Sequence, residues 1–267
     1  MRIPSPAETR LPWLLLATAA GISMASARDQ ARDWFEHGVA EAWLHNYDPT
    51  LASRRIHAEL SYEDDDGGES VTEFSWSARG ALPVADDLAL AYQLGWPVKW
   101  KDTGTERISG QGDLETRVGL IGRISPTLRY GSGLVSKFNT AAEDGLGDGV
   151  FQLRPVLALR WDAARRINLG INVEYTFTPR DEGSDDLSYL ELKIPVALKL
   201  TEHWSAEATY KPRWNFLGDG DRHRLVLTAT RNWGERKQFA WSISSELPLS
   251  DQSLDWKLGS GFTWYFR

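Results

Sequence analysis

The sequence contains no cysteine and only two methionines, Met1 and Met24. The first absence excludes disulfides, thiolate metal centres and cysteine nucleophiles. Basic charge is also short: 30 Lys and Arg against 37 Asp and Glu give a net charge of −7, which speaks against nucleic-acid binding by the surface as a whole. Long apolar runs are scarce. The main one, Leu11 to Ala20, is too short to span a bilayer comfortably. It follows Arg2 and Arg10 and precedes the small residues Ala25-Ser26-Ala27. That layout is a secretory signal peptide, so residues 1–27 are expected to be removed and the mature chain to begin near Arg28.

Tryptophan is abundant, with 13 Trp beside 8 Tyr. Both rings pair an apolar face with a polar edge and favour a membrane–water boundary. A composition of 42% hydrophobic and 25% charged residues looks soluble on average. A transmembrane β-strand shows only every second residue to lipid, however, so low mean hydropathy is compatible with a barrel.

Residues 28–53 carry Phe35, Val39 and Trp43 at four-residue spacing between Asp, Glu and His, which predicts a short amphipathic helical segment that lies in the periplasm, plugs the barrel or rests on the membrane surface. From Arg54 onward the period becomes two. Ile167, Leu169, Ile171, Val173, Tyr175 and Phe177 form one face; Asn168, Gly170, Asn172, Glu174 and Thr176 form the other. Successive strand side chains point to opposite sides, so one face meets an apolar medium and the other meets water or polar groups.

Similar segments predict strands at 54–62, 71–82, 87–96, 113–123, 126–138, 149–161, 166–178, 188–200, 203–216, 223–233, 237–247 and 253–266. Short links, such as Ala85-Asp86-Asp87 and Thr201-Glu202-His203, alternate with longer polar ones, including Pro97 to Gly112 and Asn139 to Asp148. A soluble β-sandwich also alternates apolar and polar positions. A leader, aromatic strand ends and alternating loop lengths together favour an all-β fold: a single closed antiparallel transmembrane β-barrel of about twelve strands over 54–267, in the bacterial outer membrane.

The middle of the chain resembles the outer-membrane proteins grouped as "MetA-pathway of phenol degradation" and related outer-membrane transporters. The resemblance rests on Gly110-Gln-Gly-Asp113 and Gly145-Leu-Gly-Asp148, each expected at a strand start. It also rests on Tyr130-Gly-Ser-Gly-Leu134 running toward Phe138-Asn-Thr140, on Leu153-Arg-Pro-Val-Leu157, and on the closing segment Trp256 to Phe266. It implies a channel or transporter for small solutes, with hydrophobic or aromatic compounds as candidates, and transfers no site residue. The glycines of both Gly-x-Gly-Asp motifs also have a plain structural reading as turns. Oligogalacturonate-specific porins are a second group of similar size, suggested by the basic residues expected inside.

Placing the apolar face toward lipid turns Arg117, Arg129, Lys137, Arg154, Arg160, Lys193, Lys199, Lys211, Arg213 and Lys257 into the lumen, with Glu115, Glu174, Glu191, Glu207, Glu246 and Asp255. Of these, Arg117, Arg129, Arg154, Arg160, Lys193, Lys211, Arg213 and Lys257 are the candidate selectivity residues. Two roles are open to them: a basic wall that selects anions, or a neutralising network that rigidifies the barrel. An outer-membrane lipid hydrolase needs a Ser–His pair, yet His37, His45, His57, His203 and His223 sit in no nucleophile motif. Asp64-Asp65-Asp66 with Glu69 suits a weak calcium site or a solvated loop. The expected partners are outer-membrane lipids, lipopolysaccharide, the barrel-assembly machinery and a small-molecule solute; a nucleic acid, a cofactor and catalysis are not expected. A structural barrel without transport is the remaining alternative.

Overall fold

The computed structural model describes residues 50, 53–64, 68–179, 187–217, 220–234, 237–250 and 256–266. The leader, most of the expected amphipathic segment, and Asp65, Asp66 and Asp255 lie outside the described residues. Among the described residues the strands are β1 (Arg55–Asp64), β2 (Ser70–Ala85), β3 (Leu88–Asp102), β4 (Arg107–Gln111), β5 (Glu115–Ser125), β6 (Leu128–Lys137) and β7 (Gln152–Ala164). They continue as β8 (Ile167–Phe177), β9 (Ser188–Lys199), β10 (Trp204–Asn215), β11 (Arg222–Trp233), β12 (Phe239–Pro248) and β13 (Trp256–Tyr265).

All neighbouring strands pair antiparallel, and β1 joins β13 over the full run from Arg55↔Tyr265 to Asp64↔Trp256. The wall is therefore closed. β3 is shared along its length: its first half pairs with β5 and its second half with β4. These two segments make one stave interrupted at Gly112-Asp113-Leu114, so the barrel has twelve staves. Closure leaves no strand edge in hydrocarbon, where an unpaired backbone N–H or C=O has no water to turn to.

Side-chain parity follows the expected pattern. On β8, Asn168, Asn172, Glu174 and Thr176 are buried inside, whereas Ile171 and Tyr175 are exposed on the outer face. Exposed Leu, Ile and aromatic residues continue around the outside, among them Leu60, Trp96, Leu120, Leu157, Leu198, Leu227, Ile243 and Phe262. An outer face this apolar is stable only against lipid. The links β2–β3, β5–β6, β7–β8, β9–β10 and β11–β12 are short and lie on the same side as the start of β1 and the end of β13; that is the periplasmic side.

One expected loop is mostly strand. The sequence pattern predicts an external loop over Pro97 to Gly112, but β3 runs on to Asp102 and β4 begins at Arg107. Pro97 does not end β3: it lies in register with Ser75 of β2. Beyond it Val98 and Trp100 still alternate with Lys99 and Lys101. Lys99 pairs with Glu73 and Lys101 with Glu69, at 3.7 and 2.8 Å, so both lysines are held against β2 and its loop.

The two Gly-x-Gly-Asp motifs form one unit, and neither begins a strand: β5 starts at Glu115 and β7 at Gln152. Asp113 is buried and turns inward, where Oδ1 accepts the amide hydrogens of Thr140 and Ala141 at 3.1 Å. Its Oδ2 accepts the amide of Asp148 at 2.8 Å. A Cβ at Gly147 would collide with that carboxylate, and one at Gly110 would press on Ala142 and Leu146. Gly145 takes φ +85°, a left-handed turn that glycine adopts without strain. Leu146 and Val150 are buried as a result, and Ala142 and Leu146 lie against Gly110 on the inner face of the β3–β4 extension, while most of the segment around them stays exposed. Burial pushes the Asp148 carboxyl pKa up, but Lys137 and the Gln152 amide outweigh it and hold it below the usual aspartate range. The pairing is therefore complete at neutral pH, and it is lost only as pH falls through that depressed value.

Two outcomes follow from this architecture. Ile243→Arg should reduce the folded fraction, read as the heat-dependent shift on a detergent gel, because a charge against mid-bilayer lipid costs about 2–4 kcal/mol. Ser244→Arg, one residue along and beside Glu59 inside the barrel, should fold like the native chain. Asp113→Ala should leave that shift intact but raise the rate at which a protease cuts after Glu143, which is exposed but held in a fixed loop. Each of these partly buried amides left without an acceptor costs at most about 1–3 kcal/mol, the figure for a buried one. Equal protection of both chains would show that Asp113 does not hold the loop.

Candidate functional site

The inner wall carries the chemistry. All eight candidate residues, and also Lys137 and Lys199, turn inward as parity requires. They do not form a free basic surface. Arg117 Nε lies 2.9 Å from Glu115, and Arg154 reaches Glu115 and Glu174 at 3.4 Å each. Lys193 reaches Glu174 at 2.7 Å and Glu191 at 3.4 Å. Arg213 donates to Glu191 at 2.9 Å and lies over the Tyr189 ring. Farther along the same wall Glu246 joins Lys211 and Arg224, at 3.0 and 2.8 Å, and Lys257 lies 3.6 Å from Glu63.

The result is a belt of alternating charge that runs around the wall. Each partly buried ion is compensated by a neighbour, which is how charges persist away from bulk water. Two candidates sit apart from the belt. Arg129 and Arg160 are register partners nearer the periplasmic end; Arg129 lies 3.6 Å from Asp162, and Arg160 packs over Gly170. Buried Arg55 and Arg79 share that end, so cations gather below the belt. Arg55, Arg79, Arg224 and Glu59 also face inward, beyond the residues expected from the sequence. The signal was present in the parity of Arg55-Ile-His-Ala-Glu59 and Ser75-Trp-Ser-Ala-Arg79, which place the polar residues on one side.

A second inner feature runs against the polar-inside rule. Ala89 and Ala91 of β3, Ile121 of β5, Val135 of β6, and Val156 and Ala158 of β7 are buried on the inner wall. Gly119, Gly131 and Gly133 lie among them. A Cβ at Gly119 or Gly133 would strike the backbone of the other strand, so the wall there carries no side chain. Bare backbone and small apolar groups make an apolar strip along one side of the lumen. A cavity of about 80 Å³ lies on this strip, with His57, Ser77, Gln93 and Arg117 at its edge. A second cavity, about 270 Å³, is lined by Glu59, Glu174, Lys193, Glu207, Lys211 and Glu246. That volume holds several waters. Arg117 borders both cavities.

Among the described residues the arrangement nearest to a catalytic triad is His57, whose Nδ1 lies 2.9 Å from Thr263 Oγ1 and whose Nε2 lies 3.2 Å from Glu59. Thr263 is fully buried, so its hydroxyl is out of reach of a substrate. Glu69, proposed as a calcium ligand, is paired with Lys101. Among the described residues no group of three or more His, Asp or Glu side chains is placed to hold a metal ion.

No protein-family model matches the chain, and no curated protein matches it in sequence. Solved structures do match in shape. The COG4313 outer membrane channel from Pseudomonas putida F1 aligns with a TM-score of 0.69 at 12% identity, over 84% of this chain and 100% of that one. CymD, a monoaromatic hydrocarbon channel, aligns at 0.54 with 8% identity, over 85% of this chain and 93% of that one. The KdgM porin in complex with a disordered oligogalacturonate aligns at 0.53 with 10% identity, over 79% and 99%. At such identities the likeness speaks for architecture: the chain is a closed twelve-stave β-barrel with the fold of outer-membrane barrels, and its place is the outer membrane.

Proposed function

We propose that the barrel is a passive outer-membrane channel for small solutes, and that apolar or aromatic compounds are among them. The observation that carries this reading is the amphipathic lumen. A channel for ions alone has no use for the apolar strip of Ala91, Gly119, Ile121, Gly133, Val135 and Val156, and the cavity on it, inside an otherwise charged wall. An apolar solute meeting only the charge belt would be opposed by the water held there; the cavity of about 80 Å³ on the strip offers it a space whose lining binds little water. The belt keeps the rest of the wall rigid and wet. The similarity to CymD supports the same solute class.

A second reading, an anion-selective porin, is favoured by the cations gathered below the belt, including Arg129 and Arg160. The likeness to the KdgM porin points the same way. In this reading belt and periplasmic arginines set the sign of the ion that passes.

The two readings separate in one reconstituted system. Uptake of toluene-like solutes into liposomes should fall several-fold in Val156→Glu, which places a carboxylate on the apolar strip, while ion conductance changes little. Equal uptake by both chains would remove the strip from the pathway. In planar bilayers, Arg154→Gln combined with Arg160→Gln should move the reversal potential toward cation preference, since Glu115 and Glu174 lose a shared partner. An unchanged reversal potential would reduce these arginines to structural supports.

A further inference from the structure

Among the described residues, the outward rows of the strands carry charge at the extracellular rim, on Asp64, Asp102 and Arg107, and at one other place. That place is Arg231 on β11. It lies two residues from the periplasmic end of its strand, in register with Trp204 of β10 and Trp241 of β12. Its side chain is exposed on the face that meets lipid. The guanidinium carbon lies 5.7 Å from the centre of the Trp204 ring. Among the described residues no carboxylate lies within ion-pair distance of it.

The surroundings are aromatic. Trp241 donates its indole N–H to Ser260 Oγ at 3.0 Å, which fixes the ring on the outer face. Trp233, Phe239 and Phe262 form a cluster with ring centres about 6 Å apart on the same side. The other side of the barrel is built differently: at the periplasmic ends of β5, β6 and β7 the outward residues are Ile124, Leu128 and Trp161, with no cation among them.

A guanidinium facing hydrocarbon without an anion is unfavourable, and the penalty shrinks toward the interface as the group reaches headgroup level. Two residues of tilted strand place Arg231 about 5 Å from the strand end in depth. That is within reach of a lipid phosphate for a side chain that extends along apolar surface to a polar layer. The planar guanidinium offers parallel N–H donors matched to two phosphate oxygens. Trp204 and Trp241 flank it and leave the approach from the bilayer open.

We propose that Arg231, between Trp204 and Trp241, is a binding site for the phosphate of one phospholipid in the periplasmic leaflet. The lipid's acyl chain then lies along the apolar outer face beside Leu227 and Ile243. This contact lies on the outer surface and is independent of what the lumen transports.

The test is native mass spectrometry of the full barrel in detergent, titrated with phosphatidylglycerol and with phosphatidylethanolamine, which share the phosphate. Wild-type protein should retain one lipid of either kind. Arg231→Gln should lose that lipid roughly tenfold more readily, and Arg231→Lys should fall between the two. Arg107→Gln, at the opposite rim, should behave as wild type. The heat-dependent gel shift of each variant checks that the barrel has folded. Equal lipid retention by Arg231→Gln and wild type would overturn the site. So would displacement of the lipid by inorganic phosphate at equal concentration, which would mark a free-anion site. A detergent-stable dimer lost in Arg231→Gln, with no change in retained lipid, would assign the surface to a second copy of the chain instead.

Discussion

The pairing of β1 with β13 is the constraint on which the rest of the structure depends. Ten residues of each strand meet in one unbroken register, and this joins the two ends of the sheet. Without it the backbone groups of two strands would face hydrocarbon, each at a cost of several kcal/mol. Closure is also what makes an inside. Once the wall is continuous, every second residue is withdrawn from lipid whatever its character, and the chemistry of that row decides what the enclosed space does.

Enclosure explains why the inner charges are arranged in alternation. Glu174 sits between Arg154 and Lys193, and Glu191 between Lys193 and Arg213, so neither carboxylate is buried without a counter-ion. A network of this kind is not strong evidence for added stability, because desolvation offsets much of the attraction. Its consequence is geometric: long side chains are held against the wall, and the 270 Å³ cavity stays open. The apolar strip keeps its space differently, by using glycine and alanine where side chains would otherwise fill the bore. At the outer mouth Asp113 fixes the loop after β6 by accepting the amides of Thr140, Ala141 and Asp148.

Much of the wall was legible in the sequence because a lipid-facing strand obeys a strict period of two. β8 and β9 came within two residues of their ends, and every inward lysine and arginine named on them lies inside. What was not legible depended on distance in the chain or on an exception to the rule. Pro97 reads as a terminator, yet β3 continues through it because β2 is long enough to support the extension. The Gly-x-Gly-Asp motifs read as two separate turns, since nothing local says that Asp113 accepts from the amide of Asp148, 35 residues on. The apolar strip was invisible for a simpler reason: in Leu157-Ala-Leu159 or Leu120-Ile121 both parities are apolar, so alternation has no contrast to report.

Closure can be measured directly because the chain has no cysteine of its own. Leu60 of β1 and Ser260 of β13 are cross-strand partners that both face outward. Paired strand positions lie at a separation that a disulfide can bridge. In the double variant Leu60→Cys, Ser260→Cys, oxidation of the folded barrel should form an intramolecular disulfide in high yield, whereas Leu60→Cys combined with Ile171→Cys should form none. A failure to cross-link Leu60→Cys to Ser260→Cys in protein that still shows the heat-dependent gel shift would contradict the β1–β13 seam, and the closed barrel with it.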